Sequence, residues 1–394
     1  VSGGVVMVDD LFSSSHPLLP PKTEDDQLDW LRLLRSRRVG ISTFYRLLAE
    51  HGTAQNALEH LPDIAQSRGL AGYRACSQKD AMRELSQGIK YGARLVFRGQ
   101  PDYPKQLGQI SDAPPLIWAC GDLNLTKRPV TALVGARNAS ALGCRMARRL
   151  SHDLGQAGDC IVSGLARGID AAAHQAALET GTIAILAGGL KTIYPPEHKA
   201  LTAFIAKQGL LLSEQPLNLR PQAHHFPIRN RLISGLAAQT IIVEAALKSG
   251  SLLTARNALD RGRDVLAVPG HPLDPRAAGC NALIRDGAAL VRNAQDVLDL
   301  RQNVIPLEND KAPLNSASCQ PPVMSGRAAH EPAQTSKSQL QQDILDRLSV
   351  TAISENHLIR RLARPVAECN AAITELELDQ KLLRHAGGHL SLRP

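Results

Sequence analysis

Apolar positions along this chain fall into three successive rhythms. Between residues 28 and 90 they recur at helical spacing, in LDWLRLLRS, TFYRLLAEHG and TAQNALEHL, punctuated by Gly40, Gly52 and Pro62. From about residue 94 the rhythm changes to short apolar runs: Thr131–Val134, Cys160–Ser163, Thr182–Leu186, Leu210–Leu212, Thr240–Val243 and Val265–Val268. Helical patterns such as Ala139–Leu154 and Ile169–Glu179 separate several of them. Strands alternating with helices predict an α/β fold, a doubly wound parallel sheet over residues 94–302. The third rhythm follows a Pro-, Ser-, Ala- and Gln-rich linker over 303–337. There QLQQDILDRLS, ISENHLIRRLA and VAECNAAITELELDQ read as three amphipathic helices, and KLLRHAGGHLSL as a two-stranded wing turning at Gly387-Gly388. Residues 338–394 are therefore expected to be a winged-helix-like domain, usually a nucleic-acid binder and sometimes a protein-contact module. Residues 1–27 read as a flexible polar lead-in, with Met7 as an alternative start.

Residues 28–93 form a helical domain in which Val39-Gly40-Ile41-Ser42 precedes an apolar helix. That is the turn pattern of a helix-hairpin-helix or SAM-like unit, which offers backbone N–H groups to a DNA phosphate. A plain helical packing module fits the same pattern.

In a doubly wound sheet, ligands bind beyond the carboxyl ends of the strands. The chemistry-bearing residues of this chain follow its strands repeatedly. Gly135-Ala136-Arg137 with Ser140 follows the first run, and Ser163-Gly164 with Arg167-Gly168 the second. Gly188-Gly189 and Tyr194-Pro195 follow the third, Ser213-Glu214 the fourth, Lys248-Ser249-Gly250-Ser251 the fifth, and Pro269-Gly270 the sixth. Single glycines end strands for backbone reasons. Six such loops on one edge, three bringing Arg or Lys, exceed what turns alone require. The densest stretch is Phe226–Thr254, where a loop carrying Arg229, Asn230 and Arg231 precedes the strand that delivers Lys248-Ser249-Gly250-Ser251 to a helix N-terminus. Side-chain cations beside free N–H groups make an anion site, and phosphate is the first ligand to consider.

The chain contains neither GxGxxG nor GxxxxGK[ST], and neither GxSxG nor HExxH. Asp170, Glu214 and Glu244 are the carboxylates near these loops. Asp170 is expected to cap the helix after it, and Glu244 to pair with a basic neighbour. No catalytic residue is assigned: the pattern suits holding phosphates better than breaking bonds.

Composition adds little. The 394 residues include 45 Lys+Arg against 37 Asp+Glu, a net charge of +8 that fits a polyanion partner without requiring one. No apolar run reaches transmembrane length, so no membrane role is expected, and no basic-then-apolar leader pattern appears. Seven scattered cysteines without a CxxC read as reduced, packed thiols of a cytoplasmic protein. His224-His225 lacks nearby acidic or Cys partners, so neither a metal nor a cofactor is expected.

The segments VGARNASALG, SGLARGIDAAAH, GGLKTIYPPEH, SEQP, FPIRNRLISGL, VEAALKSGSLLTA, GRDVLAVPG and GCNALIRDGA occur in the order seen in the DprA/Smf family, which this chain resembles densely over about residues 95–295. The resemblance implies an extended Rossmann-like core that binds single-stranded DNA without known catalysis. It also implies a homodimer formed through that core and handover of DNA to RecA in natural transformation. By motif, Arg137 and Lys248 would contact phosphates. Ser163, Gly164, Ser249, Gly250 and Ser251 would let the backbone approach and donate, while Arg229, Asn230 and Arg231 would line the groove. A structural ion pair of Arg229 or Arg231 with Glu214 or Glu244 is the competing assignment. Leu190 stands where the family commonly has a third glycine.

Aromatics make up only 3% of the chain, and Phe226 and Tyr194 are the ones in the core motifs, so affinity is expected to rest on phosphate contacts. Three rival functions remain. A nucleotide or nucleoside-phosphate processing enzyme would need Glu244 or Asp170 as a base. A duplex-reading regulator is disfavoured because Val366–Asp379 carries Glu368, Glu375, Glu377 and Asp379 with no Arg or Lys. A purely structural adaptor is contradicted by the phosphate-type loops.

Overall fold

The computed structural model describes residues 20–302, 335–348, 353–354, 358, 362, 366–379, 381–385 and 389–392. The chain divides into two compact units, 1–307 and 308–394.

The first unit opens with helices α1 (Glu24–Arg35), α2 (Ile41–His51), α3 (Ala54–Ser67) and α4 (Gln78–Tyr91). Thr23 starts α1 with a capping box, its hydroxyl accepting the Asp26 N–H while Asp26 receives the Thr23 N–H. The helices close on Trp30, Phe44 and Leu47, with Trp30 edge-on to Phe44 at 5.1 Å and to Phe97 at 6.2 Å. The helix α4 was not expected, because QKDAMRELSQGIKY is largely polar. Its polar face is tied down by Glu84, which pairs with Arg35 at 2.9 Å and accepts the Trp118 indole N–H at 2.8 Å.

The main sheet joins β1 (Arg94–Phe97), β2 (Leu116–Gly121), β3 (Val130–Gly135), β4 (Cys160–Ser163), β5 (Thr182–Ile185), β6 (Leu210–Ser213), β7 (Gln239–Val243), β8 (Asp264–Ala267) and β9 (Ala289–Leu290) in the order β1-β2-β6-β5-β4-β3-β7-β8-β9. All six expected strands are present and run parallel to one another. The sheet departs from the all-parallel expectation at one edge, where β1 and β2 pair antiparallel with each other and β2 with β6. No helix separates β1 from β2 in sequence beyond the single turn α5 (Lys105–Gly108), so they lack the alternation that marks parallel units.

On one face, α6 (Ala141–Gln156), α7 (Ile169–Ala176) and α12 (Ala294–Gln302) bury Leu150, Leu154, Ala173 and Val297 against Leu133, Ile161 and Ile241. On the other, α5, α9 (His225–Leu236), α10 (Gly250–Leu259) and α11 (Ala278–Arg285) cover Ala132, Val162 and Ile242. The helix α8 (Lys199–Gln208) packs Leu201 and Ile205 beside Trp118 and Leu211. Strand order runs outward from β3 in both directions, to β4-β5-β6 on one side and β7-β8 on the other. The topological switch point therefore lies between β3 and β7.

The second unit contains α13 (Thr335–Arg347), α14 (Val366–Leu378) and a sheet of β10 (Ile353–Ser354), β12 (His389–Leu392) and β11 (Leu382–His385) in the order β10-β12-β11. Its core gathers Leu340, Ile344, Leu358, Leu362, Cys369, Ile373 and Leu390. The lead-in before residue 20, the linker up to residue 334, most of ISENHLIRRLA and the Gly387-Gly388 turn lie outside the described residues. Among the described residues no helix is long and apolar enough to cross a membrane.

Candidate nucleic-acid interface

The loops after β3 and β7 flank the switch point, and they carry Arg137 and Lys248. Both side chains are exposed. Arg137 lies over the ring of Phe226 with 4.8 Å between its guanidinium carbon and the ring centroid. Tyr194 meets the same ring edge-on at 5.7 Å, and Tyr194 is 45% exposed. Two small pockets adjoin this shelf. One is lined by Gly164, Gly188, Thr192 and Pro221, the other by Arg137, Ala166, Arg167 and Pro195.

The helix α10 presents its N-terminus here. Ser249 is its N-cap and accepts from the Ser251 N–H, while the two hydroxyls lie 2.7 Å apart. Gly250 is exposed; an added Cβ would meet nothing within 4 Å, and its φ is not in the left-handed region. Neither backbone conformation nor packing among the described residues requires glycine there. Gly168 is different. Its φ is +73°, and a Cβ would collide with the carbonyls of Ala136 and Arg137, so this glycine seats the β4–α7 loop on the Arg137 loop.

Several expected groove residues are placed elsewhere. Arg229 and Arg231 lie on α9 rather than on a loop, because Pro227 falls in the first helical turn, where no intrahelical N–H is lost. Both are buried. Arg229 donates to the carbonyls of Gly164 and Ile185, and burial lowers its pKa to about 10 while Asp170 opposes that shift. Arg231 pairs with Glu214, donates to the Asp112 carbonyl, and lies 3.7 Å from the Asp112 carboxylate. Burial raises the Glu214 carboxyl, with Arg231 pulling the other way. These arginines lie beneath the loops and tie them to the rest of the fold. Asn230 accepts from Arg229 at 3.3 Å and reaches the Gly250 carbonyl at 3.4 Å.

Ser163 is fully buried and donates to the Leu133 carbonyl at 2.7 Å, which removes it from the surface. The Ser140 hydroxyl caps α6 through the Gly143 N–H at 2.9 Å and donates to Glu244. Glu244 therefore binds Ser140 rather than forming the expected pair with a basic side chain. Asp170 does not cap α7. Its carboxylate instead accepts the Gly164 and Ala166 N–H groups at 3.1 and 3.3 Å, folding back onto the loop before the helix. Arg167 is exposed and paired with Glu197.

One contributor was missed at the sequence level. His174 is fully buried; its Nε2 accepts the Leu165 N–H at 3.3 Å, and its Nδ1 lies 2.7 Å from the Thr182 hydroxyl, which donates to the Ile161 carbonyl. That arrangement requires a neutral ring protonated on Nδ1, and burial pushes its pKa down to about 3. Leu165 itself has φ +57°, so Asp170, His174 and Arg229 together hold a loop that few side chains adopt unaided. The signals for His174 were its place at the end of SGLARGIDAAAH and four residues after Asp170, one helical turn along the same face.

Among the described residues no group of three or more His, Cys, Asp or Glu side chains gathers as a metal site. Burial raises the Cys160 and Cys280 thiols to about 12 and about 11, which leaves them unreactive.

The family model of DNA recombination-mediator protein A matches residues 94–302, more than half of the chain. The chain belongs to the DprA/Smf family. Two further family models match in the expected places, a DprA-like N-terminal HHH domain over 24–86 and a DprA winged helix domain over 328–388. The DNA processing protein DprA of Streptococcus pneumoniae is 46% identical over 198 residues, covering 50% of this chain and 70% of that protein. Protein Smf of Escherichia coli K12 is 38% identical over 294 residues, covering 74% of this chain and 75% of its own length. The X-ray structure of the S. pneumoniae DprA superimposes with a TM-score of 0.58 at 36% identity, covering 71% of this chain and 98% of that one. In this DprA/Smf chain the structure brings Arg137, Gly164, Arg167, Gly168 and the Lys248–Ser251 turn to one edge. Ser163, Arg229 and Arg231 lie behind that edge.

Proposed function

We propose that this chain binds single-stranded DNA across the β3–β7 switch point and, as a homodimer built through its core, passes the strand to RecA during DNA uptake and recombination. The observation that carries the reading is the pairing of two exposed cations, Arg137 and Lys248, with the open N-terminus of α10, beside the Phe226–Tyr194 shelf. Cations and free N–H groups serve phosphates; an aromatic face serves an unpaired base. The family and its relatives, named as DNA processing proteins, support the same class of ligand.

The rival reading, a nucleotide-processing enzyme, needs a carboxylate free to act beside the phosphate site. Asp170 is occupied by loop N–H groups and Glu244 by Ser140, which favours binding over catalysis. The acidic residues of Val366–Asp379, with no Arg or Lys among them, favour protein contact over duplex reading for the winged-helix part.

Fluorescence anisotropy with labelled single-stranded and duplex oligonucleotides across a salt series tests the reading. A salt-sensitive preference for the single strand is expected, with a slope near −0.7 per phosphate neutralised. Lys248→Ala should weaken binding to all sequences alike. Equal binding of both forms, or none, overturns the reading. A solution mass twice 42.4 kDa would support the dimer, and faster RecA assembly on the strand would support the handover.

A further inference from the structure

We propose that Glu244 is a positioning residue that fixes the Arg137 loop and the Lys248 loop against each other across the switch point; this rests on the single-strand-binding reading. Glu244 follows β7 directly and sits at φ +52°, a left-handed conformation that residues with a Cβ disfavour. The turn sends its carbonyl to the Ala136 N–H at 2.7 Å, gripping the residue just before Arg137. Its carboxylate accepts the Ser140 N–H at 2.8 Å and the Ser140 hydroxyl, gripping the start of α6. Gly143 leaves room for this, since a Cβ there would run into the carboxylate. Arg137 is thus bracketed by two anchors from a single residue of the other loop.

The chain leaving Glu244 is equally constrained. The Ala245 carbonyl accepts the Gly279 N–H at 2.7 Å, and the Ala246 carbonyl accepts the Ser249 N–H at 2.8 Å, closing the turn that presents Lys248. No other residue of these two loops makes both a backbone and a side-chain bond across the switch point among the described residues.

A carboxylate at the mouth of a phosphate site is unfavourable for the ligand on charge alone, because like charges repel. This makes the test one of sign. If Glu244 were a bystander, Glu244→Gln would remove a negative charge and tighten DNA binding. If it positions the two cations, the amide replaces two charge-assisted Ser140 contacts with weaker neutral ones, and binding weakens despite the gain in net positive charge.

The experiment measures affinity for a labelled oligo(dT) by anisotropy over a salt series, on the full chain. It compares wild type, Lys248→Ala, Glu244→Gln, Ser140→Ala and the Glu244→Gln/Ser140→Ala pair, with a thermal melt of each. Glu244→Gln is expected to bind roughly three- to tenfold more weakly, from the difference between a hydrogen bond to a charged acceptor and one to a neutral amide. Ser140→Ala should weaken binding at least as much, and the double variant should be no weaker than Ser140→Ala alone, because both changes act on the same contact. Affinity equal to or tighter than wild type in Glu244→Gln overturns the proposal, as does additivity in the pair. A lowered melting temperature with unchanged affinity also overturns it, since that is what a merely structural role gives. If Lys248→Ala weakens binding and Glu244→Gln does not, positioning fails while single-strand binding stands. If wild type itself does not bind, the functional reading fails and the positioning role with it.

Discussion

The two edges of the central sheet handle positive charge in opposite ways. At the amino edge, Arg301 is clamped by Asp159, Thr131 and Gln239, and Arg128 donates to the carbonyls of Gly158, Asp159 and Thr180. Both of these guanidiniums have their partners within the chain. At the carboxyl edge, Arg137 rests on an aromatic face and Lys248 is exposed, with no acidic side chain paired to either among the described residues. Arg301 and Arg128 are satisfied internally; Arg137 and Lys248 present charge outward, although Arg167 on the same edge is paired with Glu197. The difference separates a cation that stabilises the fold from one available to a polyanion, and residue type alone does not reveal it.

The largest effect should come from the amino edge. Arg301→Ala leaves Asp159, only 1% exposed, without its countercharge, and about 3 kcal/mol of stability should be lost in urea denaturation. Single-strand affinity should change less than about twofold on the scale where a factor of ten is 1.4 kcal/mol. A large affinity loss would erase the distinction between the edges. The mirror experiment is Arg137→Ala, for which anisotropy should show roughly tenfold weaker binding and a salt slope shallower by about 0.7, with no change in melting. A melting shift comparable to that of Arg301→Ala would mean Arg137 is structural after all.

Beneath the open edge, His174 provides a pH-dependent contrast. Its folded pKa of about 3 lies below the ordinary 6.5, so the unfolded chain binds more protons between those values. Stability should therefore fall on acidification through that window, by up to about 1.4 kcal/mol per pH unit. Burial raises the Asp170 carboxyl, which acts in the opposite direction just above its ordinary value. The His174 share is isolated as the difference between wild type and His174→Gln in urea titrations at several pH values. Identical pH profiles would show that the ring is not held neutral. The smallest effect is expected from Gly250→Ala. With open space around it, stability should hold or rise by about 0.5 kcal/mol, while affinity falls a few-fold as a methyl group covers the N-terminus of α10. Unchanged affinity would place the DNA away from that helix end.

The parallel strands were legible because a strand buried on both faces reads as a short apolar run, and the loop after it carries whatever chemistry the edge holds. The positions of Arg137, Gly168, Lys248 and Ser249 followed from that logic. The helix α9 was not legible. FPIRNRLISGL mixes a proline and two arginines into an apolar segment, and only the surrounding layers make burial of those arginines favourable by supplying carbonyls and Glu214. Ser163 looked like a donor in sequence and is a packed hydroxyl in the fold. Asp170 looked like a helix cap, yet the folded-back loop offered its carboxylate two other N–H groups.

The sequence by itself determined the α/β class, the order of the strands' chemistry along one edge, and the family, because these depend on local periodicity and on motif order. Only the tertiary structure decided which cations face outward, which carboxylates are already engaged, and that Glu244 links two loops more than one hundred residues apart. The physical reason is that a charged side chain takes its role from desolvation and from the partners that packing brings within hydrogen-bond reach. Neither is a property of its neighbours in sequence.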